Sequence, residues 1–480
     1  MTYKAVTFAA LIVAGISGPT SVVYSDTLVD IYELALENDP VLRAAEATFN
    51  AGQEAEVLGR SALLPQISAS AEYGESDQDS VQSRTFNLAF DPNQPPTSII
   101  SRADDSTDDE TELYALNLSQ NIINMPAWFS FKQGVELSRQ AEAIFSADQQ
   151  TLIVRTVEAY ANVMRGIDNL TSSRAEEAAF KRQFEQTQQR FEVGLIAITD
   201  VHEARAAYDL ATVGRLTDEG NLGIAYEALT VLTGQAHSQL WLLNEEYPVV
   251  DPNPADRADW VEYSLENNHL LRASEFAAEA ARQRASAAKA EHLPKLTGTL
   301  TYSDFDNSGN ARDNTLNIDK PFSTQTDGYS WNLRLSMPLY SGGGISASRR
   351  QAQESYIASR ETHTSILRNT IQKTRSLHLA VTTDVQRVRA RKQATVSAQS
   401  ALDATEAGYE VGTRNVVDVL QAQRILFNAL RDYSNSRYDY VINYFRLLRE
   451  AGMLGPQHIY ELNKWLQEPP APTSSSQQHG

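Results

Sequence analysis

The chain has 480 residues, with 41 Lys and Arg against 61 Asp and Glu and a formal net charge of −20. This acidic excess disfavours a nucleic-acid partner, because binding to phosphates requires clustered positive charge. A hydrophobic fraction of 42% excludes a disordered acidic chain. Since the sequence contains no cysteine, it also excludes disulfides, iron–sulfur clusters and thiolate zinc sites.

The N-terminal segment has the pattern of an export signal. Lys4 is the only charged side chain in the first 25 residues, and the stretch 5–18 is apolar or small. Val23 and Ser25 occupy the −3 and −1 positions of a cleavage site, so we predict a signal peptide over 1–25. A retained membrane anchor is the alternative, which the shortness of the apolar run disfavours. No later apolar run reaches the roughly 20 residues that a transmembrane helix needs.

The rest of the chain repeats itself. Three landmarks recur in the same order: LENDPVLRA at 36–44 as LENNHLLRA at 265–273, LS at 118–119 as LS at 335–336, and FEVG at 191–194 as YEVG at 409–412. The offset falls from 229 (265 − 36) to 217 (335 − 118), which places 12 additional residues (229 − 217) in the first copy. Ordered landmarks of this kind indicate a tandem duplication with one loop insertion.

Proline-free stretches predict the helices. Proline is absent between positions 126 and 248 and between positions 338 and 456, and both stretches are rich in good helix formers. Helices of this length usually belong to coiled coils. Each repeat also opens with a shorter helix, which covers 27–62 in the first copy. The remaining helices are predicted over 127–193 and 200–233 in the first repeat (26–233), and over 344–408 and 415–450 in the second (259–450).

Each repeat also contains two segments with a period of two, inside 65–122 and inside 294–341. In the second repeat, Tyr329, Trp331 and Leu333 alternate with polar residues. One apolar and one polar face indicate half-buried strands, either of a sandwich or of an outer-membrane barrel whose apolar face meets lipid. The intervening segments 74–110 and 303–328 are rich in Asp, Asn, Ser and Gly, and we predict exposed loops there.

The number of strands limits the architecture. Four strands per chain cannot close a barrel, and an open sheet edge in lipid would leave backbone groups unsatisfied. A barrel therefore requires several chains: two would give 8 strands (2 × 4) filled by side chains, and three would give 12 (3 × 4) around a pore. Because each strand pair is a hairpin, its flanking helices emerge on the same side. The sequence thus predicts a helical tube attached to one mouth of a barrel.

Two long stretches carry a family resemblance, RFEVGLIAITDVHEARAAYD at 190–209 and ATVSAQSALDATEAGYEVGTRNVVDVLQAQ at 394–423. Shorter matches are LLPQ at 63–66, HLPKL at 292–296 and MPLYSGG at 337–343. With them the chain resembles the TolC family, the trimeric outer-membrane exit ducts of Gram-negative multidrug efflux and type I secretion.

The resemblance covers essentially the whole mature chain and implies a fold. This fold is a trimer with a 12-stranded β-barrel (3 × 4 strands), a periplasmic α-barrel of coiled helices and a small mixed α/β equatorial region. We expect the equatorial region in 234–258 and in the first part of 451–480, and a flexible tail over 469–480.

The resemblance also implies a gate at the periplasmic tip. In the family, a Tyr and an Arg at the second glycine-bounded turn connect the inner coil to a Thr-Asp pair of the outer coil. The matching residues here are Tyr409, Arg414, Thr199 and Asp200. Arginine offers a forked donor to carboxylate and hydroxyl groups, and each partly exposed link is worth on the order of 1 kcal/mol.

A pore constriction is implied at two further positions. The family places two Asp residues one helical turn apart, which correspond here to Asp418 and Gln421. We therefore expect a ring of one carboxylate per chain, with cation selectivity that is retained but weakened. Since Arg414 precedes Asp418 by four residues, a simple pair within one helix is the alternative interpretation.

No other motif points to chemistry. His202 and Glu203 begin a zinc-protease pattern, but Ala206 stands where its second histidine would be, so no metal and no cofactor are expected. We predict a passive duct that is not an enzyme. The partners implied by resemblance are outer-membrane lipid, a periplasmic adaptor docking near 194–199 and 408–415, and an inner-membrane transporter that supplies energy. A barrel-anchored coiled-coil adhesin and an exported hydrolase are the alternatives.

Overall fold

The computed structural model describes residues 26–88 and 97–469. The predicted signal peptide and most of the predicted tail lie outside the described residues. The chain forms two compact units: Ala45–Ala147 with Asn268–Ile371, here called the sheet unit, and the rest of the described chain, here called the helical unit.

The helices are α1 (Leu28–Asn38), α2 (Pro40–Ser61), α3 (Met125–Glu192), α4 (Ile198–Thr233), α5 (Arg257–Asn267), α6 (His269–Ala290), α7 (Gly344–Glu410), α8 (Val416–Glu450) and α9 (Pro456–Asn463). The strands are β1 (Gln66–Leu88), β2 (Thr97–Ile123), β3 (Leu242–Leu243), β4 (Lys295–Asp313), β5 (Ile318–Ser336) and β6 (Leu466–Gln467). None of the helices in these ranges is both long enough and apolar enough to cross a bilayer.

The sheet unit contains one antiparallel sheet in the order β1-β2-β4-β5. It consists of two hairpins that pair through their inner strands, β2 and β4. Antiparallel hairpins return the chain to the end at which it entered, so all the flanking helices leave from that end, as predicted. The outer strands β1 and β5 each pair on one side only within the described chain.

Apolar side chains form continuous rows across this sheet. Leu118 lies opposite Leu300 on the next strand, and Leu300 lies opposite Trp331. These residues alternate with polar ones, and the apolar face is solvent-exposed, with Trp331 71% exposed. A sandwich would bury this face against a second sheet, so the sandwich alternative is wrong for these strands.

The strands are longer than the alternation alone indicated. The segments predicted as loops, 74–110 and 303–328, are largely strand, and β4 and β5 are joined by only four residues, 314–317. Here the prediction was wrong for a physical reason. Ladder hydrogen bonds join backbone groups, so pairing continues through polar side chains such as Asp77 opposite Asp108.

The helical unit has its own core, built where α1, α5, α8, α9 and the end of α4 pack with the middle of α3 and α7. Tyr160 and Trp260 are fully buried there, and the Tyr160 hydroxyl donates to the Trp241 carbonyl at 2.8 Å. The short pair β3–β6 lies in the same unit, with Leu243 opposite Leu466. These short helices and strands form the small mixed α/β part of the fold that was predicted.

The first helix of each repeat is broken in two, which corrects the single helix predicted over 27–62. The break falls at Asp39, whose ψ of 114° is extended. Pro40 disfavours helical geometry in the preceding residue and lacks the N–H that would continue the hydrogen bonds. Asp39 is instead held by Arg155, through two hydrogen bonds of 2.9 and 3.2 Å. In the second repeat, Asn268 marks the same break.

Candidate functional site at the helical turns

Two turns with the same geometry connect the long helices to their successors. Gly194 and Gly412 both have φ of +79°, a conformation that favours glycine. The backbone N–H of Leu195 donates to the carbonyl of Arg190 at 2.9 Å, and the N–H of Thr413 donates to the carbonyl of Gly408 at 2.8 Å. A hydrogen bond from an N–H to the carbonyl five residues earlier is the Schellman pattern that ends a helix. The sequence repeat is therefore also a repeat of local structure.

The two turns differ in how the N-terminus of the next helix is capped. Asn415 caps α8 by accepting from the N–H of Asp418 at 2.8 Å, and the Asp418 carboxylate accepts from the N–H of Asn415 at 3.3 Å. This reciprocal capping box satisfies two backbone donors. In the first turn the capping position is Ala197, which has no side-chain acceptor. Asp200, the counterpart of Asp418, is therefore not engaged in a capping box.

Arg414 and Asp418, predicted for the gate and the constriction, lie beside each other. Their closest charged atoms are 3.9 Å apart, and the side chains are 61% and 38% exposed. An exposed pair at this distance contributes at most about 1 kcal/mol. Arg414 lies in the turn before α8, so the pair joins the turn to the first turn of α8 rather than lying within one helix, and it is weak enough to exchange for other partners. Gln421 lies about one helical turn beyond Asp418 and is exposed.

Tyr409 packs beneath a cation but leaves its hydroxyl free. The guanidinium carbon of Arg190 lies 4.7 Å from the centre of the Tyr409 ring. The hydroxyl is buried and has no hydrogen-bond partner in the described protomer. Over the described residues, no hydrogen bond or ion pair joins Tyr409 or Arg414 to Thr199 or Asp200. The links between the coils are not formed within one protomer, and they stay a prediction about the assembled protein.

Sequence reasoning missed a polar pocket around Tyr409. It is lined by polar and charged side chains of α3, α7 and α8, among them Arg182, Gln183, Gln186, Arg190, Glu406, Tyr409, Glu410 and Gln423. The amide nitrogen of Gln183 and the amide oxygen of Gln423 are buried without partners in the described chain, and each residue is only 7% exposed. A signal existed, because Gln183 follows the buried Phe180 by three residues and so falls on the apolar side of α3.

A second arrangement that the sequence did not reveal has the outline of a catalytic triad. The His237 Nδ1 lies 2.7 Å from Asp26 Oδ2, and its Nε2 lies 2.7 Å from the Thr233 hydroxyl. That hydroxyl is buried and donates to the Leu229 carbonyl at 3.1 Å. A nucleophile must be accessible to a substrate, so this group serves instead to hold the segment at Asp26 against the helical unit. No cluster of metal-binding side chains occurs in the described ranges.

Comparison with known proteins identifies the family. The family model described as outer membrane efflux protein matches residues 31–235 and 260–453, one segment in each repeat. The chain is 35% identical to the outer membrane protein TolC of Vibrio cholerae over 93% of this chain and 95% of that protein. It is 29% identical to the alkaline protease secretion protein AprF of Pseudomonas aeruginosa, over 89% of this chain and 84% of that one.

Solved structures agree with this fold. The outer-membrane channel CmeC of Campylobacter jejuni superposes with a TM-score of 0.69 at 17% identity, covering 92% of this chain and 90% of its own. CusC superposes with a TM-score of 0.71 at 16% identity, covering 88% and 92%. The chain belongs to the outer membrane efflux protein family. It is an outer-membrane exit duct with a periplasmic extension, and its family is one of channels rather than enzymes.

Proposed function

We propose that three copies of this chain form one continuous pore. The observation that carries the proposal is the four-stranded sheet with two open edges, β1 and β5, and an uncovered apolar face. In lipid each unpaired edge group costs several kcal/mol, so the edges must pair with those of other chains. Two chains would give a barrel filled by side chains, whereas three give 12 strands (3 × 4) and leave room for a pore.

The two helical turns form the gate at the periplasmic end. The Tyr409 hydroxyl lacks a partner within the described protomer, and Arg414 holds Asp418 only at 3.9 Å. Both side chains therefore have hydrogen-bonding capacity left for Thr199 and Asp200 of the same or a neighbouring chain. Links of this kind are weak enough to be broken by a docking protein.

A periplasmic adaptor docks on these turns and an inner-membrane transporter supplies the energy. The polar pocket beside Tyr409 supports this placement, because Gln183 and Gln423 present one unpaired donor and one unpaired acceptor there. Buried polar atoms without partners are costly, and a docking side chain that pairs with them would remove that cost. The duct itself is passive and selects cations through the ring of Asp418 carboxylates.

Single-channel conductance in planar bilayers tests the gate. Wild-type protein is compared with Tyr409→Phe/Arg414→Ser, and with Tyr208→Phe/Arg205→Ser as a matched control on α4. We expect a small cation-selective conductance that rises in the first variant and is unchanged in the control. Equal conductance in all three proteins, with trimers verified in the membrane, would show that the gate is assigned to the wrong residues.

A further inference from the structure

A basic pocket lies between α6 and α7, within the sheet unit. Four cationic side chains and one carboxylate line it: Arg282 and Lys289 from α6, and Arg349, Arg350 and Glu354 from α7. The lining therefore carries a net charge of +3 (4 − 1), in a chain whose overall charge is −20. Such a local reversal of sign concentrates anions at this point.

Among the described residues, three of these cations have no ion-pair partner. Arg282 pairs with Glu279 at 2.7 Å, but Lys289, Arg349 and Arg350 form no ion pair within the described ranges. Like charges that share one pocket repel each other, and an anionic ligand would turn this repulsion into attraction. The pocket therefore has the charge and the open donors of an anion-binding site.

One end of the pocket, lined by Lys289, Arg349 and Arg350, lies close to the membrane surface. Lys289 is one residue from the end of α6, which precedes β4, and Arg349 is five residues past the start of α7, which follows β5. At about 1.5 Å per residue, Arg349 lies roughly 8 Å along its helix. Leu339 and Tyr340, between β5 and α7, are 89% and 88% exposed. Exposed apolar and aromatic residues at the end of a barrel strand are typical of the membrane–water interface.

This depth corresponds to that of the lipid headgroups. The headgroup layer extends roughly 5–8 Å beyond the hydrocarbon core on each side of a bilayer. The helices of this family extend into the periplasm, so these ends of α6 and α7 lie at the level of the headgroups of the periplasmic leaflet. Arginine binds phosphate through its planar fork, and lysine binds it as a point charge.

We propose that this pocket binds the phosphodiester headgroup of an anionic phospholipid of the phosphatidylglycerol type. A headgroup without an amine brings only negative charge to a lining of net charge +3, whereas a zwitterionic headgroup would bring a further cation to it. The bound lipid bridges α6 and α7 at the level where strands give way to helices. It thereby fixes the depth of the channel in the outer membrane.

Lipid binding to the purified full-length protein tests this site. The protein is freed of lipid in a neutral detergent and titrated with dihexanoyl phosphatidylglycerol, dihexanoyl phosphatidylcholine or inorganic phosphate. The variant is Arg349→Gln/Arg350→Gln, and the matched control is Arg360→Gln/Arg368→Gln, which removes two exposed charges from α7 outside the pocket. We expect the Kd for phosphatidylglycerol to rise at least tenfold in the variant and less than twofold in the control. Phosphatidylcholine should bind at least tenfold more weakly than phosphatidylglycerol to the wild-type protein.

Two results would overturn the proposal. An equal loss of binding in variant and control would show general electrostatic attraction, and equally tight binding of inorganic phosphate would make a soluble anion the ligand. Lys289→Gln is a second, milder variant, expected to weaken phosphatidylglycerol binding at least threefold even if the double variant does not fold. Arg349 and Arg350 have no part in the proposed gate, so unchanged conductance of the variant separates this proposal from the gating one.

Discussion

Replacing Tyr409 by phenylalanine separates two roles of one hydroxyl group. In the described protomer this hydroxyl is buried without a partner, which costs about 1–3 kcal/mol for a group of this kind. Phenylalanine retains the aromatic ring, whose centre lies 4.7 Å from the guanidinium carbon of Arg190. The substitution should therefore leave the protomer as stable as before, or slightly more stable.

The same substitution should open the assembled channel. If each Tyr409 hydroxyl bonds to another coil in the closed trimer, each loss costs the closed state about 1 kcal/mol. Three symmetric links sum to about 3 kcal/mol, and each 1.4 kcal/mol is a factor of ten. The ratio of open to closed channels should then rise on the order of 100-fold.

Two measurements on the same preparation check this reasoning. The thermal unfolding midpoint of the purified protein reports stability, and single-channel recording reports the open fraction, with Tyr208→Phe as the control. Because the closed trimer loses these links, we expect an unchanged or slightly lower midpoint together with a large rise in open fraction. A higher midpoint with an unchanged open fraction would refute the gating role, because the hydroxyl would then be merely an unsatisfied buried group.

Three further predictions follow from the described contacts. Asp418→Asn should reduce the cation-to-anion permeability ratio, and Gln421→Asp should raise it by doubling the acidic ring, as measured by reversal potentials; equal ratios would contradict the constriction. Asp39→Asn should lower the unfolding free energy by about 2–4 kcal/mol in denaturant titrations, since Asp39 is nearly fully buried and its arginine partner is about one-third exposed. Burial and the nearby Arg257 lower the pKa of His378 below 6.5, so its neutral form is favoured in the folded state. Its stabilisation is present above pH 6.5 and lost as the pH falls through the folded pKa, so His378→Gln should flatten the decline in stability from pH 7.5 to 5.

Local sequence signals account for much of the fold. The proline-free stretches marked the long helices, because a helix interior tolerates neither the proline ring nor its missing donor. The predicted break near Gly194 is observed, since glycine readily adopts the positive φ that ends a helix there. The break at Pro40 follows from the same rule. The lengths of β1 and β2 could not be predicted, because ladder pairing depends on a partner strand rather than on side-chain polarity.

Only part of the candidate site could be predicted from the sequence in the same way. The glycine turns and the acidic residue after each of them follow from spacing and resemblance. The capping of α8 by Asn415 is also a local effect, as its side chain bonds three residues ahead. The polar pocket beside Tyr409 was not predicted, since it brings α3 together with helices more than 200 residues later in the chain.

The sequence by itself determined the duplication, the alternation of the strands and the positions of the turns. These depend on intervals of a few residues or on the comparison of one copy with the other. Only the tertiary structure decided which groups lack partners and which charges share a space. The unpaired Tyr409 hydroxyl, the tie between His237 and Asp26 and the basic pocket of Arg349 and Lys289 are examples. Their chemistry arises from the proximity of residues far apart in the chain, which packing specifies and local periodicity does not.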